Sequence, residues 1–91
     1  MYFEFDQAKS ISNLEKHGID FEEAQELWSD PFATAAALEH RGERRWVLIA
    51  RLADGVWAAI YTMRGERVRI ISVRRATAKE VAVYDRARND R

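Results

Sequence analysis

The segment from residue 45 to residue 75 constrains the fold more than any other part of the chain, because one set of alternate positions in it is almost wholly apolar. Such alternation predicts β-strands with one apolar face. Asp54-Gly55 predicts a hairpin turn, and Gly65 marks a second turn. A meander of three antiparallel strands is therefore expected. The predicted strands are Arg45–Ala53, Val56–Arg64 and Arg67–Arg75.

Two-residue turns at 54–55 and 65–66 would pair Ala53 with Val56 and Arg64 with Arg67. One face of the meander is then almost wholly apolar and should carry the helices, since directly paired residues share a face. The opposite face, called here the arginine face, has an apolar centre that includes Val73. Its polar residues are Arg45, Arg51, Thr62, Arg64, Arg67, Arg69 and Arg75. A three-residue second turn would instead bring Arg74 onto this face and remove Arg67 and Arg69.

Like charges on neighbouring strands destabilise a sheet, so clustered arginines indicate an anionic ligand. Arginine suits phosphate because its planar fork donates two parallel hydrogen bonds and keeps its charge. The charge is also uneven along the chain: residues 1–43 carry −7 and residues 44–91 carry +7. This asymmetry favours a polyanionic partner. The alternative is that the arginines pair with the chain's own carboxylates, such as Glu43, Glu66 and an acidic helix.

Two helices are predicted before the meander. Asp6 is a good N-cap for the first, and Gly18 a good C-terminal stop. Asp20 with Glu23 forms a capping box for the second, which ends before Asp30-Pro31. The spacing of Ala8, Ile11 and Leu14 gives the first helix an apolar side.

A third helix follows the meander, opened by the capping box of Thr77 and Glu80. Tyr2–Phe5 is compatible with a short edge strand, and residues 32–43 are compatible with a strand or a turn. We therefore predict an α+β fold, with two N-terminal helices and one C-terminal helix packed on an antiparallel meander, over residues 1–91 as one domain.

The first helix also carries a basic stripe. Lys9, Asn13 and Lys16 lie at helical spacing, and His17 lies at the edge of the stripe. Such residues can contact phosphate or transfer protons. The alternative is a solvated helix side that ends in a histidine, which the helix dipole favours at that position.

Several classes of protein are disfavoured by the sequence. The chain has no cysteine, so a disulfide framework and a thiolate metal site are excluded. No His, Asp or Glu spacing is typical of a metal site, and no cofactor is expected. Neither an export signal nor a membrane-spanning run is visible, which predicts a cytoplasmic protein without a membrane partner.

Several short motifs resemble the BrnT family of type II toxins. They are D-x-x-K, N-x-x-KHG, F-E-E-A and D-P in the first third, then Y-T-x-R-G and R-I-I-S-x-R in the last two strands. The resemblance runs over residues 3–84. It implies a RelE-like ribonuclease toxin that blocks translation by cutting RNA. It also implies a cognate BrnA-like antitoxin, through which alone the complex would bind operator DNA.

A metal-independent ribonuclease must stabilise the negative charge that develops when a 2′-OH attacks the adjacent phosphate, and must move two protons. The predicted catalytic residues are Arg64, Arg69, His17 and Lys16. The predicted substrate-binding residues are Arg45, Arg67, Lys9, Thr62 and Arg74. Two alternatives stay open, namely a non-catalytic nucleic-acid-binding module and an inactive co-repressor scaffold for an antitoxin.

Overall fold

A computed structural model describes residues 1–90 and has a five-stranded sheet in the order β1-β5-β4-β3-β2. In chain order the elements are β1 (Tyr2–Glu4), α1 (Gln7–His17), α2 (Phe21–Ala24), a 3-10 helix (Gln25–Ser29), β2 (Thr34–His40), β3 (Glu43–Leu52), β4 (Gly55–Arg64), β5 (Arg67–Arg75) and α3 (Ala78–Asn89). No helix within these 90 residues is long and apolar enough to cross a membrane.

The predicted α+β class and the β3–β4–β5 meander are confirmed, but the purely antiparallel sheet is wrong. β1 runs parallel to β5 along its first three residues, so the sheet is mixed. Residues 32–43, for which the sequence allowed either a strand or a turn, contain β2, which pairs antiparallel with β3.

The predicted cap residues are confirmed, but the predicted capping box of Asp20 and Glu23 has only its first bond, from Glu23 N to the Asp20 carboxylate. The Asp6 carboxylate accepts hydrogen bonds from two backbone N–H groups of α1, and Gly18 ends that helix in the left-handed conformation. Asp20 caps α2, and the Thr77–Glu80 capping box is complete at the start of α3. The second helix is shorter than predicted, because its last turn is a 3-10 helix.

The first hairpin turn lies one residue earlier than predicted. Leu52 pairs with Gly55, and Ala53 takes a positive φ of 57° within the turn. The predicted register was therefore wrong by two positions, which preserves the faces. Gly55 is the first residue of β4 and not part of the turn, and it lets the Arg75 side chain approach the backbone closely. A Cβ at this position would meet the guanidinium of Arg75, which stacks 4.4 Å from the centre of the Trp57 ring.

A β-bulge in β5 decides which side chains enter the core. Tyr61 pairs with Ile70 but Ile60 pairs with Ser72, so Ile71 is the extra residue. The second turn holds two residues as predicted, with Arg64 opposite Arg67. The bulge then moves Val73 into the core, where it is fully buried. The prediction that Val73 lies on the arginine face was wrong for this reason.

Helix α1 turns polar residues inward. Ser10 and Asn13 are buried, whereas Ile11 and Leu14 are 54% and 46% exposed. The Asn13 amide donates to Val73 O (2.8 Å) and to Ile19 O (2.8 Å), and its carbonyl accepts from Val73 N (3.1 Å). Asn13 thereby supplies the hydrogen bonds of a missing strand at the β5 edge beyond β1. The apolar spacing in α1 was a misleading guide, because this edge needs polar partners.

The helices cover both faces of the sheet. α2 and the 3-10 helix pack Phe21, Ala24 and Leu27 into the main core. On the arginine face, Ile49 and Ala58 are buried outside that core, and the neighbouring Arg74 bonds to Glu80 of α3. These contacts place α3 over one end of the arginine face. The expectation that one face carries all the helices was wrong, because this apolar end also requires cover.

The three hydrogen bonds of the Asn13 side chain to Ile19 and Val73, called the Asn13 clamp here, lead to a stability prediction. Asn13→Ala removes three hydrogen bonds and leaves buried backbone groups of Val73 and Ile19 without partners. We expect the free energy of unfolding, measured with urea, to fall by about 3 kcal/mol. Glu15→Ala on the exposed side of α1 is the control and should change it by less than about 0.5 kcal/mol. Equal effects of the two substitutions would contradict the clamp.

Candidate active site

A cavity of about 540 Å³ lies on the arginine face at the end left uncovered by α3. Strands β3, β4 and β5 form its floor, and Lys9 of α1 forms one side. Its lining residues are Lys9, Glu43, Arg45, Thr62, Met63, Arg64, Arg69 and Ile71. Five of the nine predicted site residues therefore line one cavity. They come from four different elements of the chain.

The Glu4 carboxylate lies among three of the arginines. It is 3.0 Å from Arg69 Nη1 and 3.9 Å from both Arg64 Nε and Arg67 Nη1. The parallel pairing of β1 with β5 sets Glu4 directly beside Arg69 on the arginine face. One carboxylate cannot neutralise three guanidinium groups, so most of the positive charge is left for a ligand.

A second carboxylate lies at the cavity wall. Arg45 Nε is 2.7 Å from Glu43 Oε1, and this hydrogen bond lowers the pKa of Glu43 below its ordinary value. Lys9 and the four arginines at positions 45, 64, 67 and 69 then face two carboxylates, Glu4 and Glu43, which leaves a net charge of +3. The arrangement suits a polyanion.

Thr62 lies on the floor of the cavity, where it pairs with Arg69 across β4 and β5. Its hydroxyl donates to the carbonyl of Arg44 at 2.8 Å. The hydroxyl oxygen is thereby oriented and keeps acceptor capacity for a donor on a ligand.

Lys16 and His17 do not line the main cavity. They line a neighbouring cavity of about 170 Å³ together with Lys9, Ser12, Asn13, Ile71 and Ser72. Lys9 and Ile71 belong to both linings, so the two cavities adjoin. The four predicted catalytic residues are thus divided between two adjoining cavities.

Two predicted substrate-binding residues line neither cavity. Arg67 lies at the second hairpin, where it joins the cluster around Glu4. Arg74 reaches the arginine face because of the bulge, and both of its terminal nitrogens bond to Glu80. This bond is the main cause that lowers the pKa of Glu80 to about 2. The substrate-binding role of Arg74 stays a prediction.

Sequence reasoning gave no site role to Glu4, Glu43 or Ile71. Glu43 was considered only as an ion-pair partner of the arginines. Glu4 was not assigned, because its place depends on the pairing of β1 with β5, which has no local signal. Ile71 was placed in the middle of a regular strand, whereas it is the bulge residue shared by both cavities. The adjacent pair Ile70-Ile71, which interrupts the alternation, was the available signal.

No group of three or more His, Asp or Glu side chains within residues 1–90 is arranged to hold a metal ion. Most of the charged side chains that line the two cavities are arginine or lysine. Together, fold and site define a small α+β protein with a cationic sheet face.

Comparison with known families identifies the chain further. Residues 5–80 match the family model of the ribonuclease toxin, BrnT, of type II toxin-antitoxin systems. The chain therefore belongs to the BrnT family, a family of ribonuclease toxins whose system includes an antitoxin partner. A comparison with curated proteins gave no match.

The bond between Arg74 and Glu80 leads to a pH prediction. The pKa of Glu80 is about 2 in the folded chain and about 4.5 without its partners. Its ionised form therefore stabilises the fold above pH 4.5, and this contribution is lost as the pH falls toward 2. We expect the unfolding free energy of Glu80→Gln, measured by urea titration, to fall less steeply than that of the parent chain as the pH is lowered from 4.5 toward 2. Glu26→Gln, on an exposed side chain, should retain the slope of the parent chain, and a parent slope in Glu80→Gln would contradict the assignment.

The shared carboxylate leads to a salt prediction. Glu4→Gln keeps the size of the side chain but removes the negative charge that three arginines share. We expect a loss of about 1 kcal/mol of unfolding free energy at low ionic strength, since partly exposed ion pairs contribute little. Screening should shrink the difference in about 1 M salt. A difference that does not depend on salt would contradict an electrostatic role of Glu4.

Proposed function

We propose that this chain is a metal-independent endoribonuclease toxin that cleaves RNA in the main cavity and thereby stops translation. We further propose that residues 1–91 act as one RelE-like domain in the cytoplasm, where its RNA substrate is translated. The observation that carries the proposal is the convergence of Lys9, Arg45, Arg64 and Arg69 on one cavity.

In the proposed reaction, the ribose 2′-oxygen attacks the adjacent phosphorus and forms a new O–P bond. The bond from phosphorus to the 5′-oxygen breaks. The products are a 2′,3′-cyclic phosphate and a free 5′-OH. The 2′-OH loses a proton, and the leaving 5′-oxygen gains one.

Charge stabilisation is the main contribution that this cavity offers. Arg64 and Arg69 lie diagonally across β4 and β5 on the same face, and they donate hydrogen bonds to the phosphoryl oxygens as negative charge develops. Such preorganised donors supply a large share of the rate in many enzymes. Arg45, Lys9 and Thr62 hold the phosphate and ribose, and Arg67 adds to the positive field from the hairpin.

Proton transfer has fewer candidates in the main cavity. Glu43 is the carboxylate on its wall and accepts the proton of the 2′-OH. Its lowered pKa makes it a weak base at neutral pH. Lys9 supplies a proton to the 5′-oxygen. The proposed enzyme therefore depends more on electrostatics than on acid–base catalysis.

The proposed antitoxin is BrnA-like and covers the cationic cavity with an acidic segment. This arrangement would neutralise the net positive charge and exclude RNA at the same time. The complex would reach operator DNA through the antitoxin alone, since the toxin cavity is then occupied.

Substitution of the two central arginines tests the proposal. Arg64→Ala and Arg69→Ala should each lower the rate of RNA cleavage by about 10²-fold, the usual loss when one transition-state donor is removed. Induced expression of either variant should no longer arrest growth. Cleavage is measured on purified RNA with a chelator present, and products are checked for the cyclic phosphate.

Arg88→Ala, which removes an exposed arginine from α3, is the matched control and should retain cleavage and growth arrest. Circular dichroism verifies that every variant is folded. RNA that is bound but stays intact with the parent chain would favour a non-catalytic binding module. Neither binding nor arrest would favour the co-repressor scaffold.

A further inference from the structure

The two cavities adjoin, and together they are called the groove here. Both are lined by Lys9 from α1 and by Ile71 from β5. The main cavity has the arginines of the sheet at one end of this groove, and the smaller cavity has Lys16 and His17 at the other. A chain-like ligand that fills the main cavity can therefore continue past Lys9 and Ile71 into the smaller one.

The two ends differ in size. The main cavity, at about 540 Å³, lies within the range of sites that hold a drug-sized ligand, roughly 300–1,000 Å³. The smaller cavity, at about 170 Å³, lies below that range and suits a compact group. The two cavities therefore fit different parts of one ligand.

The chemistry of the smaller cavity selects an anion. Lys9 and Lys16 carry positive charge, Ser12 offers a hydroxyl donor, and His17 lies beside them. The Asn13 amide is already committed to the backbone of Ile19 and Val73, so it fixes the wall and leaves recognition to the others. A phosphate is small, anionic and accepts several hydrogen bonds, which fits this set of donors.

We propose that the smaller cavity binds the phosphate next to the scissile one on the same RNA strand. The proposal rests on the function proposed above and defines the substrate as single-stranded RNA with at least two consecutive phosphates. Lys9 lies between the two phosphates and contacts both. Ile71 provides an apolar surface for the sugar or base between them.

This assignment gives Lys16 and His17 a binding role in place of the catalytic role expected from sequence. Their cavity lies beside the arginines, so they hold the strand in register while the reacting phosphate lies in the main cavity. A single-stranded ligand is required because it can bend from one cavity to the next and follow a charged groove.

Binding of RNA mimics tests the proposal without any need for cleavage. The ligands are 2′-O-methyl dinucleotides, which lack the nucleophile, with one internal phosphate or with an extra phosphate at the 5′ or the 3′ end. Affinity is measured by competition with a fluorescent oligonucleotide at several salt concentrations. The parent chain should bind one of the two-phosphate ligands at least several-fold more tightly than the one-phosphate ligand.

Lys16→Gln should remove this gain and lower the slope of log affinity against log salt for the two-phosphate ligand by about 0.7, the value for one contact to a single strand. Lys9→Gln should weaken binding of both ligands, because Lys9 lines both cavities. Lys79→Gln, which removes an exposed lysine from α3, is the matched control and should retain the gain.

Equal affinity of the parent chain for all ligands would overturn the second phosphate site. A Lys16→Gln variant that weakens both kinds of ligand by the same factor would also overturn it. Failure of the proposed function is distinguished by a parallel assay on unmodified RNA. If the gain from the second phosphate is present but that RNA stays intact, the binding site stands and the ribonuclease proposal fails.

Discussion

The bulge at Ile71 is the constraint on which the rest of the structure depends. With strict alternation, β5 would put Val73 on the arginine face and Ser72 in the core. One extra residue reverses both placements and buries Val73 beside Val68 and Ile70, which precede the bulge. Bulges re-aim side chains in this way and are frequent beside active sites. The same residue also joins the two cavities, so the packing of the core and the shape of the groove have one origin.

The arginines of the arginine face fall into two groups: one is fully paired with a carboxylate and supports the fold, and the others are only partly neutralised and lie at the site. Arg74 is bonded to Glu80 and holds α3. Arg64, Arg67 and Arg69 share the single carboxylate of Glu4, which keeps them together without neutralising them. A phosphate that enters the cavity finds guanidinium groups already oriented and an excess of positive charge. This preorganisation is what the proposed chemistry requires.

Much of the fold could be predicted from the sequence, because local signals were strong. The alternation in β3, β4 and β5 gave the meander, and the caps at Asp6, Asp20 and Thr77 gave the helix starts. The grouping of Arg45, Arg64 and Arg69 followed from the alternation of side chains between the two faces of a strand. A register error of two residues leaves every side chain on the same face, so the grouping was still correct. The bulge, the inward-facing Asn13 and the parallel β1 were not predicted. The placement of Asn13 and of β1 depends on partners distant in sequence, so no local pattern encodes it. The bulge had one local signal, the adjacent pair Ile70-Ile71, which interrupts the alternation of β5.

The most direct measurement of the central claim is an experimental structure of the chain bound to a non-cleavable 2′-O-methyl oligonucleotide. We expect phosphoryl oxygens within hydrogen-bond distance of Arg64 and Arg69, and Arg69 turned toward the ligand beside Glu4. A nucleic acid strand bound elsewhere, with Arg64 and Arg69 still clustered around Glu4 and the cavity empty, would contradict the account.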